Sequence, residues 1–291
     1  MFVAVMIARP DGPPLDTTTF GALRDAWGGT EARWLAPQAA EFKVPSLPDR
    51  RWEVWTDLQV RGLDLCIVPA EGRRKRLLLA DMDSTMIAQE CIDELAEEAG
   101  VGARVRTITA RAMNGELDFE AALEARVALL DGLDAAVMDR VFRDRITFAS
   151  GGMSAVATMR AHGARAELVS GGFTAFTEKV AAALGFDGHR ANVLEVCNGK
   201  LTGTVARPIL GRDAKVSTLE ALVAEMGIGD ADVLAVGDGA NDLGMLHRAG
   251  MGVALHAKPA VAEAVDLRIT HGDLTALLWL QGYTADDVVT A

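Results

Sequence analysis

The sequence predicts an α/β protein: a doubly wound, mostly parallel sheet, an inserted helical cap and a small N-terminal α+β unit. Three observations predict it. Apolar runs of strand length occur at Leu77–Ala80 and Val233–Val236, and each stops at polar or glycine-rich residues. Such runs read as strands buried on both faces. Strand-like and helix-like stretches alternate after residue 165, which is the order of βαβ units. Residues 86 to about 148, by contrast, carry only helical patterning.

Residues 1–72 read as a separate unit. Phe2 to Ala8 is a strand, and Asp16 to Trp27 a helix stopped by Gly28-Gly29. Glu31–Leu35 and Glu41–Val44 are short strands. Ser46-Leu47-Pro48 opens a second helix, with Pro48 in its first turn, running to about Val60. Leu63–Val68 closes the unit as a strand. The order βαββαβ is ferredoxin-like and is similar to ACT-like regulatory domains; a plain dimerising module fits the pattern equally. Trp52 and Trp55 are expected in a core or interface. Arg73-Arg74-Lys75-Arg76 is a solvated linker end.

Residues 73–291 form the larger unit. After the strand at Leu77, helices are expected at about 88–99, 103–113, 118–130 and 134–145, with Gly100, Gly115 and Gly132 at the breaks. A helical insert there sits over the carboxyl edge of the sheet as a lid. Ala166–Val169 is a strand leading through Ser170-Gly171-Gly172 into a helix that ends near Gly185. Asn192–Cys197 and Leu201–Val205 flank Asn198-Gly199, a hairpin signal. Asp213 caps a helix over Ala214–Met226. Val233–Val236, Met251–Leu255 and Leu267–Thr270 are further strands.

Composition narrows the function. The chain has 291 residues, half of them hydrophobic, and a net charge of -12. That acidity argues against general nucleic-acid binding, which exchanges positive charge for counterions. Cys66, Cys91 and Cys197 are widely spaced and suit neither a disulfide framework nor a zinc site. The apolar N-terminus lacks a basic leader and reads as a strand rather than a signal peptide. No apolar run suits a bilayer span. The expected location is the cytoplasm, with no membrane partner; a homodimer stays open.

The chemistry gathers at strand ends. Asp81 and Asp83 stand at the carboxyl edge of the first core strand, where open α/β sheets place ligands. Two residues apart on a strand, they are expected to project together. Paired carboxylates repel unless a cation is shared, and a hard divalent ion with oxygen ligands is the simplest remedy. Ser170-Gly171-Gly172 brings N–H groups and a hydroxyl to an anion at a helix start. Lys215 lies in the first turn of a helix, against the dipole, as a lysine reaching an outside anion would. Gly237-Asp238-Gly239-Ala240-Asn241-Asp242 places two carboxylates and an amide after another strand. Taken singly, each string also has a plain reading as a solvated turn or surface residue. In the cap, Phe119, Leu123, Arg126, Val127 and Leu130 share one helical face. An arginine on an apolar stripe is costly unless an anion meets it, so Arg126 is a candidate for gripping a carboxylate. Glu90, early in the first cap helix, is placed to hold an ammonium group, or else to favour the helix dipole.

These strings resemble the haloacid dehalogenase-like hydrolases: Asp-x-Asp-x-Thr at 81–85, Ser-Gly-Gly at 170–172, Lys215, and Gly-Asp-Gly-x-Asn-Asp at 237–242. With Glu90, Met113-Asn114-Gly115, Phe119 and Arg126, the resemblance extends to the phosphoserine phosphatases within that family and covers about Arg76 to the C-terminus. It implies a Rossmann-like core and hydrolysis of O-phospho-L-serine to L-serine and phosphate, the last step of serine biosynthesis. Asp81 is then the nucleophile that becomes an aspartyl-phosphate, and Asp83 the acid and base. Mg2+ is held by Asp81, Asp238 and the Asp83 backbone carbonyl, with Asp242 supporting. Ser170, Gly171, Lys215 and Asn241 hold the phosphate. Glu90, Arg126, Met113, Phe119 and Gly172 hold the rest of the substrate. Two alternatives stand beside this: a transferase or phosphatase for another small phosphomonoester, and an amino-acid-binding regulator acting through residues 1–70.

Overall fold

The computed structural model describes residues 1–113 and 116–290, without the side chains of 112 and 113. The chain opens with β1 (Phe2–Ala8), α1 (Thr17–Ala26), β2 (Thr30–Ala36), β3 (Ala39–Val44), α2 (Arg51–Gln59) and β4 (Leu63–Pro69). These strands form an antiparallel sheet in the order β2-β3-β1-β4, the order a ferredoxin-like chain produces. Asp16 caps α1, accepting from Thr19 N at 2.8 Å, a bond worth about 1 kcal/mol. The second helix starts later than its proline suggested. Pro48 instead opens a turn, and its carbonyl takes the Arg51 N–H at 3.2 Å.

Alternation along β1 sends its residues to two cores. Ala4 and Met6 pack with Phe20, Leu23, Phe42 and Leu58 under the two helices. Val3, Val5 and Ile7 join the main core with Leu278 and Trp279. Each such apolar side chain contributes about 1.5–3 kcal/mol on burial. The Arg73 guanidinium secures this contact. It pairs with buried Glu41 at 2.7 Å and donates to the Leu280 carbonyl at 2.9 Å. The basic run expected as a solvated linker end therefore holds a structural arginine.

The rest of the chain supplies a six-stranded sheet and its cover. In order come β5 (Leu77–Ala80), then the cap helices α3 (Cys91–Glu98), α4 (Gly102–Met113), α5 (Phe119–Val127) and α6 (Val137–Arg145). There follow α7 (Gly152–Ala161), β6 (Arg165–Phe173), α8 (Thr174–Leu184), β7 (Gly188–Asn192), β8 (Leu194–Cys197) and β9 (Lys200–Val205). Last are α9 (Arg212–Met226), β10 (Val233–Gly237), α10 (Leu243–Arg248), β11 (Met251–Leu255), α11 (Pro259–Glu263), β12 (Leu267–Ile269) and α12 (Ala276–Leu280). The core sheet runs β12-β11-β10-β5-β6-β7, parallel at each pairing. The chain leaves β5 toward β6 and later returns on its other side as β10. That reversal is the switch point where ligands bind in doubly wound sheets.

Several elements differ from expectation. Ser170-Gly171-Gly172 belongs to β6, in a stretch where pairing with β7 slips, and α8 starts only at Thr174. Gly211, not Asp213, precedes α9, and Asp213 lies inside the first turn. Helix α7 escapes the sequence reading because its glycine-rich start looks like loop, yet it buries Ala155, Val156 and Met159. Strand β7, Gly-His-Arg-Ala-Asn, has no apolar run because it is an edge. The hairpin β8–β9 turns through Asn198 and Gly199, both at positive φ. The cap joins the core through two laced connectors: Ala88 N–H donates to Thr147 O at 3.0 Å and Ala149 N–H to Met86 O at 2.9 Å. No helix among the described residues is long and apolar enough to cross a membrane.

Candidate active site

Strand β5 stops at Ala80, so Asp81 and Asp83 lie beyond it. The Asp81 N–H still donates to Val236 O at 3.0 Å, which ties it to β10. Its carboxylate is buried and accepts from Lys215 Nζ at 2.5 Å. Asp83 points elsewhere: Oδ1 accepts from Cys91 N at 2.9 Å, and Oδ2 from Ser170 Oγ at 3.2 Å. Strand alternation does not set their placement, because β5 ends at Ala80 and the chain turns, with Ser84 at φ +56°. The two carboxylates take different partners, yet the Asp83 charge still acts on Asp81. One carboxylate is thereby enclosed with a lysine, and the other stands at the base of the cap.

Strand β10 delivers the opposite wall. Asp242 is fully buried. Its Oδ1 accepts from Lys215 Nζ at 2.5 Å, and its Oδ2 from Gly239 N at 2.9 Å and Asp238 N at 3.2 Å. It thus holds both the lysine and the turn carrying Asp238. Thr85 Oγ1 donates to Asp238 Oδ1 at 3.3 Å, a contact that crosses from the first motif to the last. The Asn241 side chain lies back over Gly239.

Asp81, Asp238 and Asp242 each bring a carboxylate oxygen within 4.8 Å of the others. One buried lysine faces three carboxylates, so negative charge is left over. An all-oxygen donor set with that surplus suits a hard divalent cation. Asp242, expected to stand behind the ligands, is as near as the other two. The Asp83 carboxylate is outside this cluster, as a backbone-carbonyl role allows.

Burial and crowding shift the titrations. Burial pushes the Asp81 carboxyl well up, the Asp242 charge adds to it, and Lys215 opposes both. Burial alone would lower Lys215, but the charges of Asp81 and Asp242 more than reverse that, so it stays protonated. Burial likewise raises Asp83 and Asp238. A cation held by the cluster would lower Asp81 and Asp238 again.

The end of β6 is shaped for close approach. Ser170 Oγ accepts the Gly172 N–H at 2.8 Å. A Cβ on Gly172 would stand 2.6 Å from Asp83 Oδ2, so only glycine leaves that carboxylate its place. Phe119, on α5, lies against Gly171 and Gly211 and covers this edge.

The cap brings Glu90 and Arg126 toward the same edge. Glu90 occupies the N-cap position of α3 but makes no capping bond. It accepts instead from Ser84 Oγ at 2.9 Å. Its residue surface is exposed at the cleft mouth, yet loss of hydration against the cleft wall, then the Asp83 charge, push it up to about 7. Arg126 is half-buried and donates to the Ala122 carbonyl at 3.2 Å. Among the described residues no carboxylate lies at ion-pair distance from it, although Asp93, Glu90 and Asp83 act on it through space. The side chain of Met113 lies outside the described residues.

The sequence reading missed Lys258. It precedes Pro259 at the start of α11, and its N–H approaches the Asp238 carbonyl at 3.4 Å. Its charge acts on both Asp238 and Glu90. A single lysine after a strand carries no signal in sequence; only the sheet order places it here.

Comparison with known proteins agrees with this geometry. Residues 78–247 match the family model of the haloacid dehalogenase-like hydrolases. A phosphoserine phosphatase from Streptomyces coelicolor is 41% identical over 257 residues, 87% of this chain and 62% of that protein. This chain thus spans less than two thirds of that relative's length. A phosphoserine phosphatase from Streptococcus thermophilus is 46% identical over 200 residues, 69% of this chain and 93% of that one. A crystal structure of a HAD family hydrolase from Salmonella enterica serovar Typhi superposes with a TM-score of 0.86 at 31% identity, covering 96% of this chain and 98% of that one. The chain belongs to the haloacid dehalogenase-like hydrolases.

Proposed function

We propose that the protein hydrolyses O-phospho-L-serine to L-serine and phosphate through an aspartyl-phosphate on Asp81, with Mg2+ as cofactor. One observation carries the substrate assignment. Above Asp81 the cap presents Arg126, a half-buried cation with no carboxylate at ion-pair distance among the described residues, and Glu90, a carboxylate at the cleft mouth. A phosphomonoester bearing one carboxylate and one ammonium complements that pair. The names of the relatives support the same substrate.

In the first step an Asp81 oxygen bonds to phosphorus as the bond to the serine oxygen breaks, and Asp83 gives its proton to that oxygen. In the second, Asp83 takes a proton from water, the water oxygen bonds to phosphorus, and the Asp81 carboxylate leaves. Burial raises Asp83, which suits a group that must first be an acid. Mg2+, held by Asp81, Asp238 and the Asp83 backbone carbonyl with Asp242 supporting, would supply charge neutralisation between nucleophile and phosphate. Ser170, Gly171, Lys215 and Asn241 would hold the equatorial phosphoryl oxygens. Phe119 and Gly172 would complete the enclosure that keeps water out until the first step ends; Met113, whose side chain lies outside the described residues, is a further candidate.

Residues 1–72 are read as an ACT-like unit and 73–291 as the hydrolase, with the cap at about 86–148. The four-stranded sheet over Phe2–Pro69 and the helices between Cys91 and Arg145 support that division. The test is phosphate release from L-phosphoserine, phosphoethanolamine and phosphothreonine, with and without Mg2+. Metal-dependent release selective for L-phosphoserine is expected. Equal release from all three would leave a phosphatase and remove the substrate assignment.

A further inference from the structure

Asp64 is a buried carboxylate in β4, outside every motif, and the reaction makes no use of it. It has no cationic partner among the described residues. Its neighbours are N–H groups of one turn: Thr270 N at 2.9 Å, His271 N at 2.9 Å and Gly272 N at 2.7 Å. The Gln59 amide adds a long contact at 3.4 Å. A carboxylate that accepts from three consecutive backbone donors defines the conformation of that turn, and the Gly272 N–H would otherwise be buried without an acceptor.

The turn it defines reaches the catalytic rim. The Gly272 carbonyl accepts from His256 Nε2 at 2.7 Å, and the Ile269 carbonyl from His256 N at 2.8 Å. His256 lies in left-handed backbone at φ +47°. Such a conformation costs on the order of 1 kcal/mol and persists only where surroundings hold it. It redirects the chain after β11 so that Lys258, two residues on, comes to the Asp238 carbonyl. On its other side the turn meets the cap connector. Asp273 accepts from Ser150 Oγ at 2.6 Å, and Leu274 N–H donates to Ser150 O at 3.1 Å.

We propose that Asp64 is a positioning residue for the catalytic rim: it sets the turn at 270–272, which holds His256 in its left-handed conformation and so stations Lys258 at the cleft mouth as the cation that draws in the phosphorylated substrate. The inference rests on the phosphatase reading for the role of Lys258, and on the hydrogen bonds alone for the role of Asp64. The N-terminal sheet is then a structural part of the rim through one side chain.

The test has two arms on the full chain. Hydrogen exchange is followed at the amides of 256–258 and 270–272 in the parent and in Asp64→Ala, an arm independent of any substrate. In the second arm KM and kcat for L-phosphoserine are measured across a salt series. Lys258→Gln should raise KM about tenfold, with a smaller change in kcat, and flatten the fall of kcat/KM with ionic strength, as loss of a steering charge does. Asp64→Ala should speed exchange in both segments and produce the same KM and salt response. The double variant should be no worse than the poorer single one, since residues on one path do not add. If Asp64→Ala fails to fold, His256→Ala replaces it: it removes the bond to Gly272 while keeping a Cβ that disfavours the positive φ, and should reproduce the KM shift. Unchanged exchange at 256–258, or effects of Asp64 and Lys258 that multiply, would overturn the proposal. A parent protein inert toward phosphoserine would overturn the functional reading instead, with exchange still deciding the role of Asp64.

Discussion

Lys215 stands between Asp81 and Asp242, 2.5 Å from a carboxylate oxygen of each. All three side chains are buried. The lysine comes from α9, Asp81 from the end of β5 and Asp242 from the start of α10, so this bridge assembles the site from three distant stretches. Lys215→Met keeps the volume and removes the charge, leaving two carboxylates in a dry site. Breaking a buried ion pair from one side costs about 3–5 kcal/mol, and losing an electrostatic contact to a developing charge costs about a hundredfold or more in kcat. A lowered melting temperature together with lowered kcat is expected; a variant as stable as the parent would show that the bridge is not structural.

Gly172 should tolerate no side chain. Its missing Cβ is where the Asp83 carboxylate lies, at 2.6 Å. Gly172→Ala must push Asp83 away from Ser170 Oγ. Displacing a reacting group by about an ångström costs on the order of a hundredfold in rate. We expect kcat to fall that far while the far-ultraviolet circular dichroism stays the same.

Arg126→Ala should separate substrates by their carboxylate. Phosphoserine carries one and phosphoethanolamine does not. Losing a charge-assisted contact of about 2 kcal/mol corresponds to some thirtyfold in kcat/KM. The fall should appear for phosphoserine and be near zero for phosphoethanolamine, measured by phosphate release.

The pH profile should carry the mark of Glu90. Its carboxyl is pushed up to about 7, by loss of hydration first and the Asp83 charge second. Below that value Glu90 is neutral and cannot hold an ammonium group. The acid limb of kcat/KM should therefore fall as pH drops through about 7. Glu90→Gln should lower kcat/KM at neutral pH and abolish that limb. A limb that survives the substitution would belong to another group.

Much of this site was legible in the sequence because its residues sit where short apolar strands end. The runs at Leu77 and Val233 located Asp81 and Asp238, and parallel pairing of β5 with β10 brings them side by side. What the sequence could not carry was direction. Strand alternation predicts that Asp81 and Asp83 project together, but β5 ends at Ala80, and in the turn beyond it the two take different partners. Helix α7 and strand β7 were invisible for related reasons: one starts in glycines, the other is a polar edge. The links of Asp64 to residue 270 and of Arg73 to residue 280 span more than two hundred positions. No local pattern announces such contacts, and they make the N-terminal unit less separate than its order of elements suggests.

The central claim is that Asp81 carries the phosphoryl group during turnover. The most direct measurement is a rapid quench of the protein with phosphorus-labelled L-phosphoserine, followed by peptide mapping. Label is expected on the peptide containing Asp81, removable by hydroxylamine as an acyl phosphate is, and absent from Asp81→Asn. Labelled phosphate released by the parent with no covalent species at any quench time, or label on another residue, would contradict it.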